Sequence, residues 1–182
     1  MLEIRIHGYG GQGSVTLAHL LAQAALDNGS RSQALPSFGV ERRGSPVKAA
    51  VRISDKPILV YSQSATPNIL VCMDSQLVDS GLAEGYSDDC ILVVNSAEHI
   101  ETEKPTYCID AVSIASDAGL IAGGTAMLNI PLLGAVACAI GIPADVLEHT
   151  LRSKWTGEAA EKNVAAARGG YDSVMNQKGE MS

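Results

Sequence analysis

A chain of 182 residues and 18.9 kDa is long enough for one sizeable core and too short for two independent enzymes, so a single unit over 1–182 is expected. With 46% hydrophobic and 18% charged residues and a mean hydropathy of +0.13, the composition excludes a disordered chain, and 4% aromatics makes its core aliphatic. Thirteen Lys and Arg against 20 Asp and Glu give a net charge of −7, which argues against nucleic acid or an anionic membrane surface as partner.

Leu2 to His7 alternates apolar and polar residues, as a short strand does, and gives way to the turn Gly8-Tyr9-Gly10-Gly11-Gln12-Gly13. Ser14 to Asn28 spaces Val15, Leu17, Ala18, Leu21, Ala22, Ala25 and Leu26 for a helix, with Gly29 as its stop. Asn28-Gly29-Ser30 has the form of a glycosylation acceptor but reads as the turn ending that helix. Residues 31–36 are a second predicted strand, and Ser37 to Pro46 an exposed loop. Val47 to Ile53 and Ile58 to Tyr61 read as strands joined by a turn at Asp55-Lys56-Pro57, because proline cannot donate to a ladder. Asn68 to Met73 is a further apolar run, followed by Asp74 as N-cap of a helix near Ser75 to Leu82. Cys90 to Val94 and Thr106 to Ile109 complete the predicted strands.

The last third is helical: Thr125 to Ile140, Ala144 to Ser153 and Glu158 to Ala167, with a polar tail, Asn176 to Ser182, expected to fray. Leu120 to Ile142 carries no charge and is long enough to cross a bilayer. Gly123, Gly124, Asn129, Pro131 and Gly141 interrupt it, and it lacks basic flanks and aromatic anchors, so a loop and a buried helix are expected. Strands interleaved with helices place the chain in the α/β class: a three-layer, Rossmann-like, mainly parallel sheet with helices on both faces and a helical C-terminal third.

Cys72, Cys90, Cys108 and Cys138 stand 18, 18 and 30 positions apart, without the close spacing of iron–sulfur or structural zinc ligands. Each lies in an apolar run, as small buried thiols of a reducing compartment do. The N-terminal MLEIRIHG, charged at Glu3 and Arg5, does not have the form of a secretory signal, so a cytoplasmic location is expected.

Gly8, Gly10 and Gly13 match G-x-G-x-x-G after a strand and before a helix, where backbone amides and the helix dipole can approach a phosphate. A dinucleotide site also needs an acidic residue about 20 positions on, for ribose hydroxyls. The stretch from Asn28 to Pro36 has none, and its one charge, Arg31, stands at the start of the second strand instead of ending it. A stand-alone NAD(P)-dependent oxidoreductase is therefore the weaker alternative, alongside a purely structural scaffold. Gly11 and Gln12 add a fourth glycine and a neutral amide, suiting a turn that presses against something.

The second loop holds Ser37, the lone Phe38, Gly39, Glu41, Arg42, Arg43 and Gly44, a local basic pair in an acidic chain. Arginine forks there would suit a carboxylate, a phosphate or a partner's acidic residue, and the glycines allow close approach. His7 ends the first strand and could titrate near the turn; His19, His99 and His149 have no such setting. Ser14, with no base in view, reads as a helix cap, not a nucleophile. No catalytic and no metal residue is assigned.

Together GYGGQG, LPSFGVERRGSPVKAAVRIS, NIPLLGAVACAIGIP and KNVAAARGGYD resemble the gamma subunit of 2-oxoacid:ferredoxin oxidoreductases along nearly the whole chain. The ERRG-x-PVKA form of Glu41 to Ala49 looks closer to the pyruvate type than to the 2-oxoglutarate type. The resemblance implies an assembly that converts a 2-oxoacid and coenzyme A to acyl-CoA and carbon dioxide and passes two electrons to ferredoxin. Thiamine diphosphate with Mg, and iron–sulfur clusters, would belong to the alpha, beta and delta partner subunits, since the chain lacks the motifs for either. Gly8, Gly10, Gly11, Gln12 and Gly13, with the Ser37 to Gly44 loop, would lie on one edge, facing those subunits and helping to receive coenzyme A. Such an edge leaves the isolated chain, without partners, open to self-association.

Overall fold

The computed structural model describes residues 1–36, 45–59 and 66–180. Among the described residues six strands form one sheet in the order β2-β3-β1-β4-β5-β6: β1 (Leu2–Tyr9), β2 (Arg31–Pro36), β3 (Pro46–Ser54), β4 (Ile69–Cys72), β5 (Ile91–Asn95) and β6 (Thr106–Ile109). Parallel ladders link β1 to β4, β4 to β5 and β5 to β6. β3 alone runs opposite, wedged antiparallel between β1 and β2, so the mainly parallel expectation holds with one inversion. α1 (Ser14–Asp27) follows β1 and ends at Asn28 and Gly29, whose φ of 85° caps it as expected.

Alternation decides what each sheet face meets. Ile4, Ile6, Ala49, Val51, Val71 and Val93 point to the face covered by α1, α3 (Ala111–Asp117), α4 (Asn129–Ile140) and α6 (Gly157–Glu180), and form the larger core. α5 (Ala144–Lys154) packs outside them on α1 and α6. Leu70, Cys72, Leu92 and Val94 point to the other face, under a 3-10 turn (Ser75–Leu77) and α2 (Val78–Ala83). Arg5 fastens α2 there, donating from Nη2 to Gly81 O at 2.8 Å and Gly85 O at 2.7 Å.

Four expectations change. Thr125 opens no helix: Ile121–Ala122 (β7) and Thr125–Ala126 (β8) form a hairpin about Gly123 and Gly124, both at positive φ, and α4 starts only at Asn129. Ile58 and Leu59 lie in no strand, and the rest of that predicted strand is outside the described residues. α6 does not stop at Ala167 and its end does not fray at Asn176; Gln177 ties it to the backbone of Cys108, and Lys178 donates to Cys138 O at 2.9 Å. α3, which periodicity did not mark, is capped by Asp110, whose carboxylate accepts from Ser113 N–H at 3.0 Å. α4 is buried on every side, and no helix among the described residues is long and apolar enough to cross a membrane.

Candidate functional site

The sheet edge where β1 ends carries the glycine turn. β1 runs through Gly8 and Tyr9 before turning, two residues beyond the predicted stop, and pairs there with Val47 and Pro46. The turn then closes on itself: Gln12 N–H donates to Tyr9 O at 3.0 Å, and Tyr9 N–H donates to Gln12 Oε1 at 2.7 Å. The oxygen of the Gln12 amide is thereby held inside the turn, which leaves its nitrogen as the group to offer outward.

Gly8 has no room for a side chain, since a β-carbon would overlap Ser14 Oγ and stand 3.0 Å from Met73 Sδ. Gly13 is the residue before α1, at φ 87°, and a β-carbon there would stand 2.9 Å from the buried Asn129 side chain. Gly13 is the N-cap, and among the described residues no side chain caps the first N–H groups of α1. Ser14 is not the cap: it is buried one residue inside, its Oγ donating to Met73 Sδ at 3.2 Å.

Facing the turn is the β7–β8 hairpin. Between them lies an open cleft of about 550 Å³, lined by Gly10 to Gly13 and Thr16 on one side and by Thr125 to Asn129 on the other. The bare amides of the helix start, a threonine hydroxyl and the half-buried Met127 and Leu128 suit a ligand or partner with an oxyanion beside an apolar group. Nothing in the residue pattern marked this second wall, because Thr125 to Asn129 read as helix.

The second motif reaches the same edge. β2 ends at Pro36 and β3 begins at Pro46, and Gly10 N–H donates to Ser45 O at 2.9 Å, joining the two motifs through their backbones. Ser37, Phe38, Gly39, Glu41, Arg42, Arg43 and Gly44 themselves lie outside the described residues.

His7 does not join this edge. Its side chain points to the opposite sheet face, 3.9 Å from Glu84 Oε2, with Nε2 making no hydrogen bond among the described residues. Burial lowers its pKa from 6.5 to about 4, outweighing the upward pull of the Glu84 carboxylate, so at neutral pH it is an uncharged imidazole beside a carboxylate. Burial also raises the Glu84 carboxyl, but the bond from Lys48 at 2.5 Å and the positive charges of Lys48 and Arg5 bring it below its ordinary value.

Fit to redox cofactors is poor. Burial pushes the Cys72 thiol up to about 12 and raises Cys90 and Cys138, the reverse of what thiolate ligation requires. Among the described residues no three His, Cys, Asp or Glu side chains are grouped to hold a metal ion. A dinucleotide fits badly too: β3 stands between β1 and β2, moving the second strand one place, about 4.8 Å, from where a ribose-binding carboxylate would project.

Fold and site together define a Rossmann-like α/β protein that presents an uncapped helix start and a glycine turn at one sheet edge. A family model described as pyruvate ferredoxin/flavodoxin oxidoreductase matches residues 3–173, and the chain belongs to that family. It is 40% identical to the common gamma subunit of the pyruvate/ketoisovalerate oxidoreductases of Pyrococcus furiosus, over 94% of this chain and 96% of that one. It is 44% identical to pyruvate synthase subunit PorC of Methanosarcina barkeri, over 84% and 86%. The crystal structure of pyruvate oxidoreductase subunit PORC from Thermotoga maritima superposes with a TM-score of 0.80 at 32% identity, covering 94% and 95%. The fold also recurs in 2-oxoglutarate:ferredoxin oxidoreductase from Magnetococcus marinus, with a TM-score of 0.79 at 18% identity, where 96% of this chain matches 31% of the longer one.

Proposed function

We infer that this chain is the gamma subunit of a pyruvate-type 2-oxoacid:ferredoxin oxidoreductase, acting as one unit over 1–182 in the cytoplasm. The complex oxidatively decarboxylates a 2-oxoacid with coenzyme A, releasing acyl-CoA and carbon dioxide and giving two electrons to ferredoxin. Alpha, beta and delta subunits supply thiamine diphosphate with Mg, and the iron–sulfur clusters. The family match and the relatives of nearly equal length support the subunit reading.

This chain's share is the edge. The observation that carries it is the Gly10 to Ser45 backbone bond, which anchors the end of the arginine loop beside the glycine turn. Arg42 and Arg43 reach the phosphates of coenzyme A or a partner carboxylate, Glu41 orients one of them, and the Gln12 amide nitrogen and the uncapped α1 amides add donors. In the assembled complex, Arg42→Ala/Arg43→Ala raises the coenzyme A KM about tenfold or weakens assembly. An unchanged KM with unchanged assembly removes both arginines from the site. Titration of the isolated chain with NAD(P)H separates the alternative, for which micromolar binding is required.

A further inference from the structure

The chain's negative charge is concentrated in one place. Residues 66–105 hold eight Asp and Glu and one Lys, a net −7, and therefore the whole net charge of the protein. The helical side is balanced by pairs such as Arg152 with Glu161, Lys162 with Glu158, and Arg168 with Glu148 and Asp172. On the opposite side, α2 and residues 96–105 enclose a groove of about 490 Å³ whose floor is apolar, with Val78, Leu82, Tyr86 and Ile100. Along its rim Asp79, Glu101 and Glu103 are exposed and make no ion pair among the described residues. The groove already holds one cation of its own: Lys104 Nζ sits 4.7 Å from the centre of the Tyr86 ring and donates to Asp88 O at 3.0 Å.

We propose that this groove docks a basic amphipathic segment of another subunit of the complex, whose apolar side chains enter the floor while its lysines or arginines meet Asp79, Glu101 and Glu103. The inference rests on the subunit reading above and adds a second contact, on the face opposite α1. Charge selects the occupant. A lipid headgroup layer or nucleic acid is repelled by this face, and a second copy would bring −7 against −7. An apolar floor with an unpaired acidic rim gives a cationic segment both burial and attraction that no described residue of this chain supplies.

The test uses the purified complex and a carbodiimide, which joins carboxylates directly to lysines in contact. Asp79, Glu101 or Glu103 is expected to crosslink to lysines of one partner subunit. The full chain carrying Glu101→Lys/Glu103→Lys loses those crosslinks and binds its partners about tenfold more weakly at low salt, the penalty shrinking as salt is raised. Glu101→Gln/Glu103→Gln gives a smaller loss of the same kind, and far-UV circular dichroism verifies that each variant is folded. Crosslinks confined to Lys104 or to a second copy of this chain overturn the proposal, as does unchanged affinity of the charge-reversed variant. Failure of the wild-type chain to join the other subunits at all overturns the subunit reading, and the groove proposal with it.

Discussion

A β-carbon on Gly134 would overlap the carbonyl oxygen of Ala167, so α4 and α6 meet backbone to backbone at that point. Gly170 repeats the relationship one turn away against Pro131 O. Gly134→Ala and Gly170→Ala should each cost about 3 kcal/mol, because the obstacle is main chain that cannot rotate away. Gly179, also in α6 but with open space around it, is the control: alanine there should be neutral or stabilise by about 0.5–1 kcal/mol. Urea unfolding of the variants checks both expectations.

The Gln12 bond to Tyr9 N–H can be weighed separately from any ligand. Gln12→Ala leaves that amide without its partner and should cost about 1 kcal/mol of stability. If the turn forms part of the coenzyme A entrance, the assembled variant also shows a raised coenzyme A KM with little change in kcat. Unfolding measurements and steady-state kinetics read the two effects apart.

His7 predicts a stability that falls with acid. Its pKa is about 4 when folded and near 6.5 when unfolded, so between those values the unfolded chain holds the extra proton. The contribution is complete above pH 6.5 and is lost as pH falls toward 4, with an upper bound of about 3 kcal/mol. His7→Leu should flatten this part of the stability profile. Denaturant melts at pH 7 and pH 5, wild type against variant, measure it, and imidazole resonances give the pKa directly.

Cys72, fully buried and with its thiol pushed up to about 12, should resist alkylation in the folded chain and react fully once it is unfolded. Mass spectrometry after iodoacetamide treatment at pH 8, with and without denaturant, reads this out. Labelling of native Cys72 within minutes would show that the cover formed by α2 opens readily.

β1, the glycine turn and α1 were legible in the sequence because each depends on its own residues: alternation, glycine spacing and the Asn28-Gly29 stop. β4, β5 and β6 were equally clear as short apolar runs bounded by turns. Thr125 to Leu128 misled because its side chains suit a helix while its conformation is set by the positive φ of Gly123 and Gly124. α6 looked finished at Ala167 because Gly169 and Gly170 each cost a helix about 1 kcal/mol. Contacts with Ile114 and Pro131 need those glycines, a requirement that no local pattern reveals. Asp110 three residues before Ser113 was the available sign of α3. The grouping of Arg5, His7, Lys48 and Glu84 joins three distant segments and had no sequence signal.

β3 has a consequence for how such subunits diverge. By running back between β1 and β2 it holds Pro36 and Pro46 in hydrogen-bonded ladder, and the bond from Gly10 N–H to Ser45 O secures the residue just before it. An inserted residue within β3 would slip one ladder against the other and part Ser45 from Gly10, so this strand accepts substitution more readily than added length.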